Sequence, residues 1–417
     1  MYIWILQTGE PIHADKENSR PMRGINLANF LISKNHKINF ITSNFNHQKK
    51  IHRYNQPKEL ILNKNLKINL INSPGYKKNI GIRRLFDHFI LSLNLAKYLL
   101  LYKGPLPDYI FIGFPPIETS FVMSFFAILK KIPYAVDVKD KWPEIFVEYA
   151  PKNIKFFIRI VFFPYFLFTK FTFTKASLIS GPTNSYISWV KKFTAPLTIR
   201  KSTVAPLVGP KLLFKDNIIE SAYSWWEERN ISKDNNPKLI FVGAINKSYN
   251  FEPILEMALY FKNNLPNLKI IICGSGPMEN YLKNKTSNYK NVVFPGWIND
   301  SKIYTLYSMA TASLIPYKSI TNFEDNITNK VIDSLSYGVP ILTSLKGEVR
   351  ELINKYHVGY TYNNAKGLIN NSIKLINSSE IREGKSLNSK RAYEELFEYK
   401  KSYNRLLNNI ELSAKNK

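Results

Sequence analysis

A single cysteine, Cys273, stands in a chain of 417 residues, and one thiol excludes an internal disulfide framework. It falls inside the apolar run LKIIICGSGP (268–277), which fits a reducing compartment. Acidic residues are scarce as well: 31 Asp and Glu face 58 Lys and Arg, a formal charge of +27. No single block of like charge carries the excess, which points to an anionic partner: nucleic acid, a membrane surface or a phosphorylated ligand. No uninterrupted apolar run reaches the roughly 18 residues that a bilayer span requires. The nearest approach, FFIRIVFFPYFLFTKFTFTK (156–175), is interrupted by Arg159, Pro164, Lys170 and Lys175. Neither a solenoid repeat nor a long low-complexity tract occurs. No D-x-D pair or His/Asp cluster has metal-ligand spacing, so no metal site and no metal cofactor are expected. The opening MYIWILQTGEP has neither the basic start nor the cleavage site of a signal peptide. It reads as a buried first strand, and a cytoplasmic location is the expectation.

What is present is alternation. Short β-rich runs (YIWILQT, KINFITS, LKINLIN, DYIFIGF, YAVDV, SLISGPT) alternate with helical patterns, the mark of a parallel sheet covered on both faces. The series restarts after STVAPLVGP (202–210) with KLIFVGAI, LKIIICGSGP, NVVFPGW, ASLIPY, VPILTS and GYTY. The length accommodates two domains. The reading is an α/β chain of two Rossmann-like domains, 1–205 and 206–395, facing a central cleft that binds ligand at the strand carboxyl ends. A last helix, about 396–417, is expected to pack back on the first domain.

In the second series each strand ends in a distinctive loop. FVGAINKSYNF (241–251) puts Gly243 at the strand end and Lys247 before the next helix, where an anion meets a cation and free backbone N–H groups. A surface lysine in a turn is the alternative. CGSGP (273–277) brings Gly274, which a tight strand-to-helix connection requires in any case. FPGWIND (294–300) offers Trp297, with the backbone at Ile298, as a surface for a flat base; a core aromatic is the alternative.

The stretch NKVIDSLSYGVPILTS (329–344) is the most informative. Thr328 is the expected N-cap of a helix whose amides and dipole suit a diphosphate. Lys330 adds full charge, and Asp333, one turn on, is placed to accept hydrogen bonds from ribose hydroxyls. Asp325 precedes Asp333 with seven residues between them, and Ile327 lies in the intervening loop.

Taken in order, FVG…K, GSGP, PGW, an acid-x7-acid region and G-x-P resemble the second domain of family 4 (group 1) retaining glycosyltransferases of GT-B fold. Aspartates stand where that family has two glutamates, so either Asp325 or Glu324 fills the first acidic role. QTGEP…RPMRGINLANFL (7–31) resembles the glycine loop that lies over the donor in bacterial surface-polysaccharide (capsule and O-antigen) transferases. It contributes Gly9, with Arg20 and Arg23 toward the acceptor. DVKDKWPE (137–144) resembles their RD-x-WPE loop, with Lys139 in place of the usual Arg or His and Asp140 matched. Asp140 as a helix cap remains the structural alternative.

The resemblance implies transfer of a hexosyl or N-acetylhexosaminyl group from a nucleoside-diphosphate sugar, UDP favoured. Lys247, Lys330 and Asp140 are then the catalytic candidates, and the acceptor is a lipid-linked glycan. Phe-rich 154–175, with Lys155, Arg159, Lys170 and Lys175, suits the headgroup region of an anionic membrane, and equally a packed helix of the first domain. Two rivals stand: a GT-B-shaped assembly partner without catalysis, motivated by the two aspartates, and a basic nucleic-acid-binding protein. Dispersed charge and the lack of a recognition motif argue against the second.

Overall fold

The computed structural model describes residues 1–15, 21–79, 81–148, 150–194 and 201–415. The chain divides into two units, 1–210 with 399–417, and 211–398.

The first unit runs β1 (Tyr2–Leu6), α1 (Arg23–Ser33), β2 (Lys37–Ser43), β3 (Phe45–Asn46), β4 (Ile51–His52), β5 (Lys58–Asn63), β6 (Leu66–Ile71), α2 (Ile82–Leu101), β7 (Tyr109–Phe114) and α3 (Ile117–Leu129). It continues through β8 (Tyr134–Val138), α4 (Glu144–Glu148), α5 (Lys155–Val161), α6 (Phe163–Thr174), β9 (Leu178–Gly181), α7 (Asn184–Lys191) and β10 (Ser202–Val204). Its sheet has the order β10-β9-β8-β7-β1-β2-β6-β5. All neighbours are parallel except β5, an antiparallel edge strand on β6. The sequence reading passed over β5 and the β3–β4 pair because β3 and β4 are two residues each and β5, KELILN, has only three apolar residues in a row, mostly exposed. Strands buried on both faces, such as YIWIL and YIFIGF, form the centre. Trp4 stacks on Phe126 of α3 at 5.8 Å, closing the sheet against that helix.

The second unit runs α8 (Asp216–Glu227), β11 (Lys238–Val242), α9 (Glu252–Asn264), β12 (Lys269–Cys273), α10 (Glu279–Lys285), β13 (Val292–Gly296), α11 (Asp300–Met309) and β14 (Ala312–Ile315). Then follow α12 (Thr321–Glu324), α13 (Asn329–Ser336), β15 (Ile341–Thr343), α14 (Glu348–Tyr356), β16 (Gly359–Thr361), α15 (Ala365–Asn377) and α16 (Ser379–Leu396). Its sheet order is β13-β12-β11-β14-β15-β16, all parallel. The order reverses between β11 and β14, so their carboxyl ends frame the crevice where doubly wound sheets bind ligands. Trp226, Ile240, Ile271, Ile298 and Leu306 form a core beneath that end.

The last helix, α17 (Tyr399–Lys415), belongs to the first unit. Tyr399 donates to the Asn26 carbonyl at 3.0 Å, and Tyr403 lies 5.6 Å from the Phe30 ring. The boundary falls after Pro210 rather than at residue 206, for a physical reason. The Ala205, Pro206 and Val208 carbonyls accept hydrogen bonds from Arg23 and Asn26 of α1, which ties the Pro/Gly segment to the first unit.

Candidate active site

At the carboxyl end of the second sheet three glycine loops interlock through their backbones. Gly243 donates to the Cys273 carbonyl at 2.9 Å, Ile245 to Ser275 at 2.9 Å, and Gly274 to Gly296 at 2.7 Å. A Cβ on Gly274 would lie 2.0 Å from the Gly243 oxygen, so the turn between β12 and α10 accepts only glycine there. Across the switch point the loops after β11 and β14 are pinned together. Asn250 donates to Pro316 at 2.7 Å, Lys318 to Ser248 at 2.9 Å, and Tyr249 and Tyr317 form an antiparallel bridge.

Lys330, in the first turn of α13, reaches into this frame. Its Nζ lies 5.6 Å from the Phe241 ring, 5.2 Å from Tyr249 and 5.8 Å from Tyr317. Three aromatic rings therefore surround the ammonium and attract it through their quadrupoles. A Cβ on Gly243 would come within 2.2 Å of the same Nζ. Lys330 and Gly243, 87 positions apart in the numbering, thus meet at one point. Tyr249 and Tyr317, which shape the cradle, escaped the sequence reading; their position immediately after a strand-end loop was the available signal.

Thr328 stands at the N-cap position of α13 in extended conformation, and its side chain makes no capping bond. Among the described residues the Asn326 side-chain amide oxygen is buried without a hydrogen-bonding partner beside the helix start, and the buried Thr328 hydroxyl faces the Tyr317 phenol. Buried polar atoms of this kind ask for a ligand or water. Half-buried Ile327 lies between them. Asp333 is half-buried on the same helix; burial first, and the Asp333 charge second, hold the Tyr307 phenol above its ordinary range.

The two candidates for the first acidic position are separated by their surroundings. Glu324 is committed internally: it accepts from the Lys346 and Gly347 amides at 2.6 and 2.5 Å and from the Ser319 hydroxyl at 2.6 Å. It is a strut for the loop before α14. Asp325 occupies the C-cap of α12 beside it.

Lys247 is exposed in the turn that follows Gly243, and α9 begins only at Glu252, so Lys247 sits in the loop and not at a helix mouth. Trp297 is 74% exposed after Gly296, whose φ is +80°, while the Ile298 side chain is buried in the core. Only the backbone of Ile298 is therefore left to meet a ligand. Cys273 is buried and its thiol is pushed up by desolvation, which leaves it unreactive.

In the first unit, Arg23 is a correction to the sequence reading. Its guanidinium is buried, pairs with both oxygens of Asp137 at 2.5 Å, and donates to the Ala205 and Pro206 carbonyls. The cation is spent on holding α1 to β8 and cannot also meet an acceptor. Arg20 lies outside the described residues. Gly9 is exposed with φ +78° and open space around it, so conformation rather than crowding favours glycine. Lys139 reaches Glu10 at 3.7 Å. Glu10, which the sequence reading did not single out, is buried and accepts from the Gly24 amide at 2.8 Å. Asp140 is half-buried, and desolvation raises it above the ordinary carboxylate range against the pull of Lys139 and Arg84. Because α4 begins at Glu144, Asp140 is too far upstream to cap it. Among the described residues no group of three metal-ligating side chains converges.

Residues 225–391, most of the second unit, match the family model described as Glycosyl transferases group 1. An uncharacterized glycosyltransferase of Methanocaldococcus jannaschii is 25% identical over 139 residues, which is 31% of this chain and 34% of that protein. The matched region thus spans about a third of the curated relative. Among solved structures, Anabaena HepE in complex with UDP superposes with a TM-score of 0.66 at 12% identity, covering 99% of this chain and 100% of that one. WaaG, a glycosyltransferase involved in lipopolysaccharide biosynthesis, gives 0.63 at 14% identity, covering 98% and 99%. Sucrose-phosphate synthase from Thermosynechococcus elongatus gives 0.65 at 12% identity, covering 98% of each. The fold is that of the GT-B glycosyltransferases, with two Rossmann-like domains.

Proposed function

We propose that this protein is a retaining glycosyltransferase that moves a hexosyl or N-acetylhexosaminyl group from a nucleoside-diphosphate sugar to a lipid-linked glycan in surface-polysaccharide synthesis. The observation that carries the reading is the meeting of Lys330, Gly243 and the uncapped start of α13 at the switch point of the second sheet. A diphosphate placed there receives backbone amides, the helix dipole and a held ammonium together. UDP is the favoured nucleotide, since HepE is described with UDP and with UDP-glucose.

In the proposed mechanism, the bond from the anomeric carbon to the diphosphate oxygen breaks as negative charge grows on the departing phosphate. Lys330, with Lys247 from the neighbouring loop and the α13 amides, stabilises that charge in place, without reorganisation during the reaction. Asp333 accepts from the ribose hydroxyls, and Trp297 with the Ile298 backbone borders the base. Asp325, which precedes Asp333 with the acid-x7-acid spacing, takes the first acidic position toward the sugar. The acceptor oxygen attacks from the face the diphosphate leaves, and a leaving-phosphate oxygen takes its proton, so no protein nucleophile is required. Asp140 and Lys139 serve the sugar or acceptor from the first unit.

The membrane-side part of the reading rests on exposed apolar surface. No single helix among the described residues is long and apolar enough to cross a membrane, and α5 and α6 meet at a 60° bend. Phe156, Phe157, Ile160, Val161, Phe163 and Leu167 nonetheless face solvent, beside Lys155, Arg159 and Lys170. A bent apolar pair edged with cations suits a position in the headgroup region at the cytoplasmic face. Each cation close to an anionic surface adds about 1 kcal/mol of attraction.

A thermal-shift panel of nucleoside diphosphates, followed by turnover of the matching nucleotide sugars on lipid-linked acceptor, tests the function. UDP at about 100 times its Kd should stabilise the protein by about 2.7 kcal/mol. Binding of no nucleotide at all would overturn the reading, and binding without any turnover would leave the inactive assembly partner.

A further inference from the structure

We propose that Arg84, in the first turn of α2, is a positioning residue for transfer: it clamps the loop that carries Asp140 and supplies the positive charge that keeps the Asp140 carboxylate ionised. This rests on the sugar- or acceptor-side role given to Asp140 above.

Asp140 stands two residues past the end of β8, in a loop held on both sides. On one side the Lys139 amide donates to the Phe114 carbonyl of β7 at 2.8 Å. On the other, Trp142 is buried in the core of the first unit, its ring 5.7 Å from that of His88 on α2 and 4.6 Å from that of Phe146 on α4. The Arg84 guanidinium lies 4.9 Å from the same indole, within the range of a cation–π contact. Arg84 is itself anchored, since it donates to the Asn79 carbonyl at 2.8 Å.

The place of Arg84 follows from the pattern of its helix. Positions 84, 88, 91 and 95 share one stripe, in which His88, Leu91 and Leu95 are buried. A second apolar stripe, Ile82, Phe86, Phe89 and Leu93, is exposed. Arg84 therefore begins the inward stripe, and that stripe is the one that meets the Asp140 loop through His88 and Trp142.

Three carboxyl groups face Arg84: Asp87, Glu118 and Asp140. Burial raises all three above the ordinary carboxylate range, and the Arg84 charge opposes it in each. They differ in what else holds them. Asp87 accepts from the Gly75 amide at 2.6 Å, and Glu118 from the Tyr165 hydroxyl at 2.8 Å. Asp140 has no hydrogen-bond donor among the described residues, so its charge is favoured only by Lys139 and Arg84. Lys139 shares its charge with Glu10, 3.7 Å away. Among the described residues no carboxylate lies within 4 Å of the Arg84 nitrogens, so no ion pair cancels the field of Arg84. The other groups around it bring no negative charge. His47 and His88 are neutral above about 4 and about 3, Lys50 is a second cation, and burial lifts the Tyr76 phenol to about 12. A carboxylate without donors keeps its charge through neighbouring cations. Ionised, Asp140 accepts the hydrogen bond of a sugar or acceptor hydroxyl more strongly than its protonated form does.

The test reads the charge of Asp140 and the rate together, on the full chain. Carbon-13 carboxyl-labelled aspartate gives an Asp140 resonance, identified as the one that Asp140→Asn lacks. It should titrate at higher pH in Arg84→Gln than in wild type, and Arg84→Lys, which keeps the charge, should restore it. Turnover of a UDP-sugar should follow the same order. Relative to wild type, Arg84→Gln should lose about tenfold more rate on the acid limb of the kcat profile than at alkaline pH, the scale of one neighbouring charge. Arg84→Met keeps a long apolar stem against Trp142 and decides where Gln lowers the melting temperature. Because Glu118 also faces Arg84 and is raised to about 7, every profile is repeated in a Glu118→Gln background. An unmoved Asp140 resonance with a rate loss equal at all pH would reduce Arg84 to packing. A resonance that moves while the acid limb stays would remove Arg84 from transfer, and either result overturns the proposal. The thermal shift of the same samples with UDP, assigned to the other unit, reports separately on the transferase reading.

Discussion

A Cβ placed on Gly243 would stand 2.2 Å from the Lys330 ammonium, so the strand-end glycine and the helix-borne lysine occupy one point of the second unit. Glycine is favoured there by its φ of +149°, and its missing side chain leaves the cation room to reach the loop. Lys330→Ala should cost about 10²-fold or more in turnover, the scale of losing one preorganised donor to the transition state. Gly243→Ala should approach that loss by displacing the lysine, and Lys247→Ala should lower turnover as well. Initial rates with a UDP-sugar check this, and wild-type rates in a Lys247→Ala, Lys330→Ala double variant would remove both from the phosphate site.

Asp333→Ala should weaken nucleoside-diphosphate binding about tenfold, because a ribose hydroxyl pair loses a charged acceptor. Calorimetric titration with UDP measures it, and an unchanged Kd would take Asp333 out of the pocket.

Glu324 and Asp325 should separate cleanly. Glu324→Gln leaves a side chain that can no longer accept from both loop amides and the Ser319 hydroxyl with full charge, so it should lower stability by about 1–3 kcal/mol. Asp325→Asn should lower turnover. Urea denaturation alongside rates distinguishes the two; the reverse pattern would transfer the sugar-side role to Glu324.

Asp140→Asn retains shape and removes charge. With α4 starting at Glu144, no capping bond is at stake, and turnover should fall while the melting temperature holds. Full activity in this variant would end the assignment.

Glu118 gives a pH signature. Burial raises its carboxyl from 4.5 to about 7, only partly offset by a hydrogen bond from the Tyr165 hydroxyl at 2.8 Å. Between those values the folded state holds a proton that the unfolded chain has released, so stability falls as pH rises through that window, by about 3 kcal/mol in total. His47 and His88, depressed to about 4 and about 3, have the opposite slope below their ordinary 6.5 and are common to both proteins compared. The urea midpoint of wild type relative to Glu118→Gln should therefore decline from pH 4.5 to 7. A flat difference would place Glu118 in a solvated setting.

The membrane reading has its own check. Replacing Phe156, Phe157, Phe162 and Phe163 with Ser should weaken binding to anionic liposomes, and binding of the wild type should fall with salt. A wild-type protein that ignores anionic liposomes at low salt would return α5 and α6 to a purely structural role.

Much of this protein is written locally. Alternating β-rich and helical runs defined both Rossmann-like series, since a strand buried on both faces must be an apolar run whatever lies beside it. The glycine turns, Lys330 and the Asp325–Asp333 spacing were legible for the same reason: each is a property of a few adjacent residues. Partner choice is not. Arg23 meets Asp137 across 114 positions of chain, Glu324 turns to amides 22 and 23 residues on, and Lys330 enters a cradle of Phe241, Tyr249 and Tyr317. The second apolar face of α2 had the spacing of an ordinary core helix, and only the packing of the unit decided which stripe was buried. Periodicity records that a side chain prefers to leave water; the tertiary fold determines whether a neighbour is there to receive it.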